Sequence, residues 1–160
     1  MKRISQKQVL SAVFEKVFGR EFNAESLDDR VMLQKAVFLM REFGVSCGKY
    51  DFVWDHYGPF SAELSDDMKR EATDETRVEF STKAEDVMQK LKETFEYQSE
   101  YSVRYWVEAV ASLHYLKKYM YPSRDEQEIV EKLEIAKGAT LGNRKENLEA
   151  MKCLKKLFAA

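Results

Sequence analysis

The sequence predicts a mainly α-helical domain carrying one small two-stranded β element. Apolar residues recur at spacings of three and four in six to seven separate segments. Most of those segments open on a residue that caps helices. Asp51 to Tyr57, by contrast, alternates in the manner of a strand. A length of 160 residues with 44% hydrophobic side chains suits one core. The reading is therefore a single domain over residues 1–160, with lobes at 1–80 and 81–160 as its widest subdivision.

Leu10, Val13, Phe14, Val17 and Phe18 make one apolar face on a first helix that stops near Gly19. Ser26 with Asp29 opens a second helix running to about Phe43, with Gly44 at its end. In the strand that follows, Phe52, Trp54 and His56 share a face, and Gly58-Pro59 ends it. Ser61 then caps a short helix aligned on Leu64, Met68 and Ala72, and Thr76 to Phe80 reads as a second strand able to pair with the first. Thr82 with Glu85 starts the cleanest amphipathic helix, with Ala84, Val87, Met88, Leu91 and Phe95 on one stripe. A helix over Ser102 to Met120 follows. Ser123 with Glu126 and Asn143 with Glu146 open the last two helices, separated by Gly138 and Gly142. The plan is winged-helix-like, although the strand order departs from that fold.

Two helices carry more than one apolar side. On the second, Val31 and Phe38 fall inside the polar arc of Gln34, Lys35, Arg41 and Glu42. On the fifth, Val103, Val107, Val110 and His114 oppose Tyr105, Leu116 and Tyr119. Such helices are expected to lie between other helices of the same chain. The alternative is an aromatic association surface, drawing on Tyr97, Tyr101, Tyr105, Tyr115, Tyr119 and Tyr121.

Charge and motif content narrow the function. The 26 Lys and Arg nearly balance the 28 Asp and Glu, so no global field recruits nucleic acid or acidic membrane. Met1 to Lys7 never reaches the apolar run of a signal peptide, and no stretch approaches the roughly 18 apolar residues of a membrane span. A cytoplasmic protein without membrane contact is expected, with Cys47 and Cys153 as free thiols. Gly44 to Tyr50 falls short of a phosphate loop, having three residues between its first two glycines where four are needed and Tyr in place of Ser or Thr. His56 and His114 are the only histidines, and Asp55, Glu63 and Asp67 form no patterned ligand set, so no catalytic residue, metal or cofactor is assigned. The segment Glu63 to Glu75 holds six acids against two bases, a local charge of −4 that opposes phosphate. Lys117, Lys118, Lys152, Lys155 and Lys156 permit weak nucleic-acid contact without predicting it.

The run Phe52-Val53-Trp54-Asp55-His56-Tyr57-Gly58-Pro59-Phe60-Ser61, followed by Leu64 and Asp67, resembles the strand, Tyr-Gly-Pro turn and helix start of the YwgA-like family of small prokaryotic proteins. Leu33-Gln34-Lys35 resembles that family's Leu-Gln-Lys helix, and Trp106 to Tyr119 with Ser123-Arg124-Asp125-Glu126 resembles its C-terminal half. The Gln-Lys helix and Gly-Pro turn are also similar, more distantly, to the SocA-like Panacea domain, the antitoxin module of many toxin-antitoxin pairs. The closer likeness implies a fold without an established activity, and the more distant one implies binding of a protein partner.

Physical chemistry supports a stiff corner at this motif. Gly58 adopts φ values closed to other residues, Pro59 fixes the next φ, and Ser61 caps the helix that follows. Gln34, Lys35, Trp54, His56, Tyr57, Gly58 and Pro59 are the candidate partner-binding residues, the first five expected to line one groove beside the Gly58-Pro59 corner. Corner as architecture and corner as binding site both stay open. The expectation is a non-enzymatic protein-binding module, antitoxin-like or adaptor-like, with an unidentified protein partner and self-association left open. A winged-helix-like nucleic-acid-binding regulator is the alternative.

Overall fold

The computed structural model describes residues 5–71 and 77–159. Its seven α-helices all start on Ser, Asp or Asn, whose side chain accepts the N–H three residues on. They are α1 (Gln6–Phe18), α2 (Leu27–Glu42), α3 (Ala62–Lys69), α4 (Thr82–Phe95), α5 (Val103–Tyr115), α6 (Glu126–Leu141) and α7 (Arg144–Leu157). Each such bond satisfies one orphaned donor of a helix start. Two caps differ from the expected ones. Ser81, not Thr82, caps α4, and Asp125, not Ser123, caps α6, its carboxylate accepting from Glu128 N at 2.8 Å. At the end of α1, Gly19 adopts φ 75° and closes the helix by donating to the Glu15 carbonyl.

The sheet differs more. Its strands are β1 (Val53–Asp55) and β2 (Gly58–Phe60), antiparallel, with Trp54 opposite Pro59. Gly58-Pro59 therefore begins the second strand of a hairpin instead of ending the first. No strand occupies residues 77–80, while Ala72, Asp74, Glu75 and Thr76 lie outside the described residues. Local geometry explains the closure. His56 and Tyr57 form the turn without positive φ, and Gly58 at φ 88° supplies the left-handed residue of a type I turn closed by a glycine bulge. Pro59, which has no N–H to donate, is tolerated because its strand has only one partner strand.

Further along, α5 passes without a break into a π-helical turn, Leu116–Met120, closed by Tyr121 N–H on the Leu116 carbonyl. As the sequence predicts, the helical path breaks near Gly138: Lys137, at φ −138° and ψ 34°, kinks α6 just before it, and Gly142 is the cap that ends the element.

One hydrophobic cluster draws residues from all seven helices. As expected for helices apolar on more than one side, α2 is buried from Val31 to Met40 and α5 from Trp106 to Leu113. α5 occupies the centre, packed against α2, α6, α7 and β2. Phe38 is fully enclosed, Tyr105 half-buried and Tyr119 45% exposed. Among the described residues no helix is long and apolar enough to cross a membrane.

Where β2 meets α5, a Cβ on Gly58 would collide with Ser112 Oγ, and the positive φ would strain it as well. Gly58→Ala should therefore lower the urea midpoint, by about 2 kcal/mol or more in unfolding free energy. Gly138→Ala, with nothing within 4 Å of the added carbon, should leave that midpoint unchanged or raise it slightly.

Candidate partner-binding site

Two adjacent side chains of α2 reach the hairpin corner. The Gln34 amide donates to the Ser61 carbonyl at 2.8 Å and accepts from Ser61 N–H at 2.9 Å, the exchange a neighbouring strand would make. Lys35 Nζ donates to the Pro59 carbonyl at 2.9 Å. Gln34, Lys35, Gly58 and Pro59 are all buried. Four of the seven candidate residues thus brace the corner from inside.

Lys35, at 0% exposure, belongs to a buried charged cluster. Glu108 of α5 lies 3.4 Å from Lys137 Nζ and 3.8 Å from Arg104 Nε. Lys137 also donates to the His56 carbonyl and sits 5.5 Å from the centre of the Trp54 ring. Arg104 lies over both Tyr57 and Tyr105, at 4.9 and 4.6 Å, and reaches Asp28 at 3.4 Å. Three cations thus share one buried carboxylate. Burial lowers the Lys35 pKa to about 7; Glu108 opposes that shift, while Lys137 and Arg104 add to it.

Only Trp54, His56 and Tyr57 of the candidate set reach solvent, and they do so on different flanks, so no single groove unites all seven. Trp54 faces the end of α5, with its ring 5.8 Å from Tyr115 and Tyr115 5.2 Å from Tyr119. Both tyrosines also contact the enclosed Phe38, at 5.9 and 6.5 Å. Tyr57 instead joins Gln34 and Lys35 around a cavity of about 200 Å³ between α2, the corner and α3. His56 is exposed at the tip, its N–H bonded to Asp55 Oδ1. Glu63 accepts from Ser61 Oγ and Asp67 from Tyr50 OH, so each of these acids engages its own neighbour.

The aromatic flank rests on Glu42. Its carboxylate meets His114 Nε2 and Tyr119 OH at 2.8 Å each and Lys118 Nζ at 3.3 Å. Burial acts to raise its pKa, but bonds from His114 and Tyr119 and the Lys118 charge prevail and hold it at about 2. His114 stacks on Phe158 at 4.5 Å, which makes it the hydrogen-bonded boundary residue its apolar face predicts.

Glu42 appears in the sequence only as part of a polar arc, and Arg104, Glu108 and Lys137 are not distinguished there as site residues. A signal for two of them exists: Arg104, Glu108 and Ser112 recur every fourth residue, and Glu108 is the lone acid in the apolar run Trp106 to Leu113. Comparison of the chain with family models, with curated proteins and with solved structures returns no match.

Two pH dependences follow. Lys35 holds a proton less tightly in the folded than in the unfolded chain, so its contribution makes stability rise as pH increases from about 7 to about 10.5. Lys35→Met should flatten that rise in urea unfolding series. Glu42 has the opposite history: its folded pKa is depressed, so its stabilisation is complete above about 4.5 and is lost as pH falls toward about 2. Glu42→Gln should lower the unfolding midpoint at pH 7 and shrink the loss between pH 5 and 2.

Proposed function

We propose that this chain is a non-enzymatic protein-binding module, antitoxin-like or adaptor-like in role, that docks its partner on the aromatic flank of the corner. The observation that carries this reading is the run of touching rings from enclosed Phe38 through Tyr115 to Trp54 and Tyr119, which ends in partly exposed aromatic surface. Half-exposed aromatic side chains on a rigid base supply large contact area at low entropic cost, the character of interface hot spots. Met120, 41% exposed, belongs to the same π-helical turn as Tyr119. Lys118, whose side chain is half-exposed, sits over Tyr119 and puts a cation at the edge of this surface.

The more distant resemblance to the SocA-like Panacea domain points the same way, while the YwgA-like resemblance implies only a fold. The nucleic-acid alternative draws less support, because Lys152 and Lys155 are paired with Glu149 and Glu126. Affinity capture from native lysate should recover a stoichiometric protein partner. Trp54→Ala with Tyr119→Ala should abolish that recovery while Leu148→Ser, on exposed α7 surface, retains it. Equal recovery by the two variants would count against this flank.

A further inference from the structure

The opposite flank of the corner holds a feature that the docking reading does not use. Leu27, Val31, Phe60 and Met68 give the cavity of about 200 Å³ an apolar body. Its charged lining is of one sign: Arg30, Lys35 and Lys69 contribute, and no Asp or Glu does among the described residues. In that same set no acid lies within 4.0 Å of any of these three cations, whereas most charged side chains elsewhere on α2, including Asp29, Arg41 and Glu42, are paired. Arg30 has one bond, donated to the Ala24 carbonyl at 2.8 Å, and Lys35 has one, to Pro59. Behind the Tyr57 wall Arg104 adds further positive charge, only partly answered by Asp28 and Glu108.

We propose that this cavity is a binding site for a small monocarboxylic acid with a compact apolar body, such as an aryl-alkanoic acid. The volume suits such a ligand. Apolar cavities of roughly 150 Å³ accept benzene, so this one has room for a ring with a short carboxylated arm. A carboxylate placed beside Arg30 and Lys69, with the Lys35 charge behind them, forms charge-assisted hydrogen bonds in this partly desolvated site, about twice as strong as neutral ones. The neutral form of the same molecule gains only the apolar contact. Lys35 couples the site to the corner, because its side chain borders the cavity and its ammonium holds the Pro59 carbonyl. Its other charged neighbours are Glu108, Lys137, Arg104 and Asp55, and an added carboxylate would favour its protonated form.

The test is titration of the full ¹⁵N-labelled chain with sodium 3-phenylpropanoate and, separately, with the neutral 3-phenylpropanamide. The acid should give saturable shifts centred on the amides of Val31, Phe60 and Met68, and the amide should bind at least about tenfold more weakly. Arg30→Gln with Lys69→Gln should weaken the acid about tenfold with the unfolding midpoint kept. Affinity for the acid should fall between pH 6 and 8.5, and Lys35→Met should remove that fall. Equal binding of acid and amide, or shifts that never saturate, would overturn the proposal. Binding of acetyl-Phe-Asp-amide in place of the free acid would also overturn it and assign the cavity to a protein segment. Partner capture reads the aromatic flank, so the two readings fail separately.

Discussion

A side-chain amide standing in for a missing strand holds this structure together. β2 is three residues long and pairs on only one side, which is too little for a hairpin to persist by itself in water. Gln34 supplies both a donor and an acceptor to Ser61, and Lys35 supplies a donor to Pro59, so the free edge is satisfied from a helix. Because these two residues are adjacent on α2, the arrangement fixes the rotation of that helix about its own axis and its height against the corner. The burial of α2 from Val31 to Met40 follows from this, since a helix clamped by its polar side to a hairpin must bury Val31 and Phe38 there too.

The cost of such a clamp is a lysine in the interior. An ammonium removed from water is tolerated only with compensation, here a backbone carbonyl and the nearby charge of Glu108. Glu108 in turn serves Arg104 and Lys137, and Lys137 reaches back to the hairpin turn. A buried cation on α2 has thereby recruited residues from α5 and from the bend in α6. The flanks of the corner differ because this cluster divides them, with rings on the Trp54 side and a surplus of cations on the Tyr57 side.

Local signals in the sequence carry most of the helical plan. Apolar spacing marks the helices and capping residues mark most of their starts, with one-residue and two-residue shifts at Ser81 and Asp125, where neighbouring residues compete for the same capping role. The strand pairing is less legible, because Gly-Pro is a common terminator and its use here depends on a distant lysine donating to the proline carbonyl. The candidate set around the corner was readable as residue types but not as orientations. Gln34 and Lys35 look like a solvated pair until β2 is placed beside them, and Trp54 and Tyr57 diverge because a turn separates them. Glu108 and Lys137 lie 73 and 102 positions beyond Lys35, so no sequence window could associate them.

The placement of Lys137 and Ser112 against the turn also bears on the order in which the chain assembles. Residues 53–60 are neighbours in sequence and follow the α2 clamp in the chain, yet the supports at the turn and against Gly58 come from α5 and α6, roughly fifty to eighty residues later. A segment that is local by topology is thus consolidated late. During synthesis the turn would sample closure many times before the second half of the molecule arrives to retain it.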